Sequence, residues 1–94
     1  MEIIYSNEDL NWLINFRKKL DEHYAWPSLY TFKFIVPTEK EEAVKNLFPH
    51  HTTTGKLSKN GKYISVTINM MMPSSEAVIN VYHTASVIEG IIAL

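Results

Sequence analysis

Residues 61–72, GKYISVTINMMM, alternate between apolar and polar side chains. Successive side chains of an extended chain point to opposite faces, so the alternation predicts a strand with one buried and one solvent-facing side. The apolar side of this strand holds Ile64, Val66, Ile68 and Met70, and the polar side holds Tyr63, Ser65, Thr67 and Asn69. We therefore interpret the rest of the chain as strands that pair with this one or helices that cover its apolar side.

Three further stretches favour extended structure. Residues 28–36, SLYTFKFIV, alternate in the same way and predict a strand that ends at Pro37. Residues 50–58, HHTTTGKLS, have β propensity but little to bury, which indicates an edge strand. The Asn60–Gly61 pair predicts a hairpin turn from this edge strand into the central one. Residues 91–94, IIAL, predict a short last strand.

Three segments show helical periodicity. The first runs from a cap at Ser6 or Asn7 to about residue 24 and is ended by Pro27. The second starts at Thr38, where Glu41 completes a capping box, and is closed by a proline at position 49. The third covers residues 77–87 and is capped by the serines at 74 and 75. It is apolar on more than one side, which is typical of a buried helix.

The order of elements after the first helix is β-α-β-β-α-β. This order predicts an α+β, ferredoxin-like fold, with an antiparallel four-stranded sheet and two helices on one of its faces. The right-handed crossover rule places the first and third strands side by side at the centre. The last strand then flanks the first, and residues 50–58 flank the third. We expect a single domain over residues 1–94, in which a helical extension (1–26) precedes the ferredoxin-like core (28–94).

The composition is that of an ordinary soluble globular protein, with 46% hydrophobic and 20% charged residues. The formal net charge of -1 gives no global attraction to nucleic acid or to an anionic membrane. Without cysteine, the chain has no disulfides, thiolate metal sites or cysteine nucleophiles. It shows no secretory signal and no apolar run long enough to span a bilayer, so we expect a cytoplasmic protein.

The segments YTFKFIVP, SKNGKYISVTI and IEGIIAL resemble the YbeD-like family of small bacterial proteins of unknown function, over roughly residues 28–94. That family has the ferredoxin-like fold and is similar to ACT-type regulatory domains. The resemblance therefore implies a ligand-sensing or protein-binding role, by analogy of fold. ACT domains that bind amino acids typically carry a glycine in the turn after the first strand. Residues 36–39, VPTE, have none, so amino-acid binding does not follow from the resemblance.

The polar face of the predicted sheet is the first candidate site. It would hold an anionic or amide-bearing ligand; alternatively, it is simply in water or covered by the N-terminal helix. RNA-recognition domains with this topology stack bases on aromatic residues of the two central strands, and here only one aromatic falls on that face, so we do not expect RNA binding. The face comprises Thr31, Lys33, Thr53, Tyr63, Ser65, Thr67 and Asn69.

The N-terminal helix is the second candidate, as an interaction surface. Trp12, Phe16 and Trp26 belong to a wide apolar stripe that would be covered by a partner, a second copy of the chain or the protein's own sheet. The three methionines at 70–72 could form an adaptable contact surface, but we favour a strand end at which Met70 and Met72 reach the core.

The sequence indicates no catalytic residue, metal site or cofactor. His23, His50, His51 and His83 lack the spacing of metal ligands, and no serine lies in a nucleophile motif. We therefore expect a non-catalytic regulatory or adaptor domain that binds a protein, a small effector or a second copy of itself. The alternative is an enzyme with a site at a subunit interface, built from His51, Lys33 or Glu39 and residues of the partner.

Overall fold

The computed structural model describes residues 10–94, and the predicted cap at Ser6 or Asn7 lies outside them. The helices are α1 (Leu10–His23), α2 (Glu41–Leu47) and α3 (Ser75–Ala85), and a 3-10 turn (Thr38–Lys40) precedes α2. The strands are β1 (Ser28–Pro37), β2 (Thr53–Leu57), β3 (Tyr63–Met72) and β4 (Ile92–Ala93). This order confirms the predicted ferredoxin-like α+β fold with an N-terminal helix before it.

The sheet has the predicted strand order, β2-β3-β1-β4, and each neighbouring pair is antiparallel. The two central strands pair along their whole length, from Ser28 opposite Met72 to Pro37 opposite Tyr63. The edge strands are much shorter. In the register, β2 pairs only with Ile64–Ile68 of β3, and β4 pairs only with residues 34 and 35 of β1.

The core lies between one face of this sheet and the helices α2 and α3. Apolar side chains at alternate positions of β1 and β3 meet the helices, as the sequence pattern predicts. Burial of each large aliphatic or aromatic side chain contributes about 1.5–3 kcal/mol. The largest fully buried side chains are Phe32, Phe34, Val36, Val44, Val66, Ile68 and Val78.

Helix α1 packs on the helical side of the sheet and leaves the polar side uncovered. Leu20 is buried in the core. The ring of Phe16 lies 5.9 Å from that of Tyr82 on α3, and the ring of Tyr24 lies 5.4 Å from that of Tyr30 on β1. The alternative in which the N-terminal helix covers the polar face is therefore wrong for the described part of this helix.

Local hydrogen bonds explain where α2 and α3 begin. Ser74 caps α3 as predicted, since its Oγ accepts a bond of 3.1 Å from the amide of Ala77. The predicted capping box at Thr38 is wrong. Its Oγ1 instead donates to the carbonyl of Gly61 at 2.6 Å, and α2 begins only at Glu41 without a side-chain cap. Thr38 thus ties the end of β1 to the β2–β3 turn.

Candidate functional site

The side of the sheet that faces away from the helices is called the open face here. Its residues alternate with the core residues along each strand, and cross-strand partners share a face. Most of its side chains are exposed and the rest are half-buried. The open face consists of Leu29, Thr31, Lys33, Ile35, Pro37, Thr54, Lys56, Tyr63, Ser65, Thr67, Asn69, Met71 and Ile92.

One predicted member of this face is wrong. Thr53 pairs with Ile68, so its side chain lies on the helical side of the sheet, where it is half-buried. Thr54 and Lys56 occupy the open face of β2 in its place. The three consecutive threonines at 52–54 contain no alternation of polar and apolar residues, so the sequence does not define which threonine points to which face.

The strand register places the remaining predicted residues in adjacent rows. Lys33, Thr67 and Thr54 form one row across three strands, and Ile35, Ser65 and Lys56 form the next. A third row contains Thr31 and Asn69, whose side chains are joined by a hydrogen bond of 2.6 Å from Oγ1 to Oδ1. Predicted polar residues from β1 and β3 therefore do converge on one continuous surface.

The charges on this surface have a single sign. Lys33 and Lys56 are the only charged residues of the four strands, and both lie on the open face. Lys59 and Lys62 in the neighbouring β2–β3 turn add to the positive charge. Within residues 10–94 the carboxylates belong to helices, the 3-10 turn or the segment after α3; they are Asp21, Glu22, Glu39, Glu41, Glu42, Glu76 and Glu89.

Neither lysine of the open face is neutralised by a carboxylate of the described chain. The ion pairs among residues 10–94 join Lys45 to Glu41 and Glu42 at 3.5 and 3.9 Å, on the helical side. By the register, the Cα atoms of Lys33 and Lys56 lie about 12 Å apart, two strand spacings across and two residues along. Ser65 and Thr67 lie between them.

Apolar side chains lie at both ends of the open face. At one end Leu29 and Met71 form a cross-strand pair, and the two side chains are 58% and 61% exposed. At the other end a depression of about 220 Å³ is lined by Ile35, Lys56, Leu57, Ser58, Tyr63 and Ser65. The exposure of such apolar groups to water is unfavourable, so they favour contact with a partner.

The predicted interaction surface on α1 is largely used within the chain. Trp12 stacks on Phe16 at 5.3 Å between ring centroids and stays 38% exposed, whereas Phe16 and Trp26 are half-buried. The indole Nε1–H of Trp26 donates to the Asp21 carboxylate at 2.9 Å. This hydrogen bond lowers the pKa of Asp21 below its ordinary value, and a second hydrogen bond, with Ser75, lowers it further. The coverage of Trp12 by a second chain stays a prediction.

The residues considered for catalysis belong to three different elements of the fold. Lys33 is on the open face, Glu39 lies in the 3-10 turn, and His51 follows α2. No group of three potential metal ligands occurs among the described residues. A second depression, of about 210 Å³, lies on the helical side between α2, α3 and β3 and is lined by Leu47, Phe48, Met70, Asn80, Val81 and Thr84. None of its lining side chains is titratable.

No helix in the described range combines the length and the apolar character that a membrane crossing requires.

Comparison with known families identifies most of the chain. Residues 21–94 match the model of the family described as "Protein of unknown function (DUF493)". The chain belongs to the DUF493 family. This is the family that the resemblance to YbeD-like proteins indicates, and the resemblance is therefore confirmed. Neither a curated protein nor a solved structure matches the chain significantly.

The DUF493 match includes the complete open face and both depressions, since it runs from the last turn of α1 through β4. Trp12 and Phe16 lie outside it. Sequence reasoning missed Thr54, Lys56 and Met71 as members of the open face, and it placed Leu29 on that face without including it in the candidate site. The sequence contains the signal for Leu29 and Met71, because each lies an even number of residues from the predicted polar positions on its own strand.

Proposed function

We propose that this DUF493 protein is a small non-catalytic regulatory or adaptor domain, which acts by binding an effector or a partner protein on its open face. The observation that carries the proposal is the composition of that face. It combines two lysines that form no ion pair with a carboxylate of residues 10–94, several hydroxyl and amide side chains, and exposed apolar residues at both ends.

Three features support a binding role over chemistry. The face is held rigidly, because β1 and β3 pair along ten residues each and are anchored by the core beneath them. Its polar groups can bind charges and hydrogen-bonding groups of a ligand. Proton transfer or nucleophilic attack requires an acid, a base or an activated nucleophile near the substrate, and the described residues place no carboxylate or histidine on this face.

The test uses one blocking variant and one matched control on the full-length chain. Thr67→Tyr fills the middle of the open face with a residue that favours strands, without a change in charge. Thr84→Tyr makes the same replacement at an exposed position of α3, beside the second depression. Immobilised wild type and both variants are incubated with cell extract, and the retained proteins and small molecules are identified by mass spectrometry.

We expect a set of molecules that wild type and Thr84→Tyr retain and Thr67→Tyr does not. If all three proteins retain the same molecules, the open face is not the binding site and the proposal is wrong. Loss of binding only in Thr84→Tyr would place the site in the depression between α2 and α3 and would also contradict the proposal. Circular dichroism of each variant confirms that the fold is intact before the comparison is made.

A further inference from the structure

The charges of the open face specify the chemistry of its partner. We infer that this face binds an acidic segment of another protein, about 20 Å long, with an apolar residue at each end and carboxylates between them. The inference rests on the proposed function, because it names the partner of the same surface.

The apolar ends set the length of the segment. Leu29 and Ile35 are six residues apart on β1, which corresponds to about 20 Å along an extended strand. The Leu29–Met71 pair provides one apolar contact, and the depression beside Ile35 and Tyr63 provides the other. A ligand of a few atoms would reach only one of these contacts, whereas a helical segment of about 13 residues spans both.

The lysines set the charge of the segment. Lys33 and Lys56 lie between the two apolar ends, in the rows that contain Thr67 and Ser65. A carboxylate above these hydroxyl groups would be near both ammonium groups, and no carboxylate of residues 10–94 competes for them. A basic segment at this position would instead place like charges together.

The same charges disfavour a second copy of the chain on this face. Two open faces in contact would bring lysines only against lysines, with no strand carboxylate to neutralise them. A second copy would have to present the carboxylates of its helical side, which also carries Arg17, Lys18, Lys19, Lys40 and Lys45, in a head-to-tail contact. Such contacts form open-ended assemblies when the rotation does not close. Nucleic acid also carries negative charge, but Tyr63 is the single aromatic side chain on the open face on which a base would stack.

The probes are three synthetic 16-residue peptides that share the same leucines near both ends and differ only in the middle, which contains glutamate, glutamine or lysine. Binding to the full-length protein is measured by fluorescence anisotropy at low salt. We expect the glutamate peptide to bind about tenfold more tightly than the glutamine peptide, the combined effect of two exposed ion pairs. This preference should be lost in 1 M salt, where the Debye length falls to about 3 Å.

Charge reversal tests whether the open face is responsible. In Lys33→Glu/Lys56→Glu we expect the order of the peptides to reverse, so that the lysine peptide binds best. Lys18→Glu/Lys19→Glu changes the net charge equally on exposed α1 and should keep the preference for glutamate. Because reversal on a central strand risks the fold, Lys33→Gln/Lys56→Gln is measured as well, and it should abolish the preference without inverting it.

Three results would overturn the inference. The first is a glutamate peptide that binds no better than the glutamine peptide. The second is a preference that the α1 control changes as much as the open-face variant does. The third is a 20-residue oligothymidine that binds more tightly than the glutamate peptide and depends on Lys33 and Lys56. Each of these results is compatible with the proposed function if the Thr67→Tyr variant still fails to retain the molecules that wild type binds from extract. Only failure of that extract experiment refutes both the proposed function and the inference.

Discussion

A buried pair of hydroxyl groups joins the central strand β1 to helix α3. The Oη atoms of Tyr30 and Tyr82 lie 2.8 Å apart, and the two residues are 9% and 7% exposed. Their rings also meet edge to face at 6.3 Å. Replacement of one tyrosine by phenylalanine keeps the ring but leaves the other hydroxyl without this partner. Because a buried hydroxyl that loses its hydrogen bond costs about 1–3 kcal/mol, Tyr82→Phe should lower the free energy of unfolding by that amount.

The double variant Tyr30→Phe/Tyr82→Phe provides the internal control. With both hydroxyls removed, neither is left unpaired, so the double variant should be no less stable than the worse single variant. The coupling energy between the two positions should then reach about 1 kcal/mol. Urea unfolding followed by circular dichroism measures all four proteins, and a loss of 1 kcal/mol also lowers Tm by about 4–8 °C in a domain of this size. Additive losses in the double variant would refute the reasoning.

Three further predictions follow from local structure. Burial raises the pKa of Tyr30. Its contribution to stability is therefore complete below about pH 10 and is lost as pH rises further. Between about pH 10 and 12 the free energy of unfolding of Tyr30→Phe should fall less than that of wild type. The lowered pKa of Asp21 contributes stability above about pH 4 that is lost in more acid solution; Asp21→Asn should therefore flatten the acid side of the stability profile, and an unchanged profile would contradict this. Gly61 and Gly90 have φ of 74° and 80°, and a Cβ at position 90 would lie 3.1–3.2 Å from the ring of Pro37, whereas nothing is within 4 Å at position 61. Gly61→Val should thus lower the free energy of unfolding by about 1–2 kcal/mol through backbone strain. Gly90→Ala should lower Tm more than Gly61→Ala, and equal shifts in Tm would show that crowding at Pro37 is unimportant.

The sequence predicted those parts of the fold whose residues carry a clear period. The alternation in residues 28–36 and 61–72 located β1 and β3 to within one or two residues, because every second side chain must enter the core. The start of α2 was wrong for a reason that only tertiary structure supplies. The hydroxyl of Thr38 donates to the carbonyl of Gly61, which is 23 residues away in sequence, and it accepts no bond from the backbone amides at the start of the helix.

The position of α1 was also beyond the sequence pattern. A wide apolar stripe shows that the helix must be covered, but it does not name the covering surface. In the structure Phe16 contacts Tyr82 and Leu20 joins the core, so α1 extends the helical layer. The open face is therefore not covered by the described part of the chain, residues 10–94, whereas the sequence alone left it undecided between water and coverage by this helix.

The charge of the candidate site depends on the register of β2, and Gly55 contributes to that register. Gly55 pairs with Val66, on the helical side of the sheet, where a Cβ would lie 2.9 Å from both Oε2 of Glu41 and Cδ1 of Ile64. A slip of one residue would bring Thr54 or Lys56 into this confined position and would turn every side chain of β2 to the opposite face. Glycine fits there without displacing the ends of these two side chains, and it thereby favours the register that places Lys56 on the open face beside Ser65. In this register the open face presents both Lys33 and Lys56 to a ligand, whereas a slip of β2 by one residue would leave only Lys33 there.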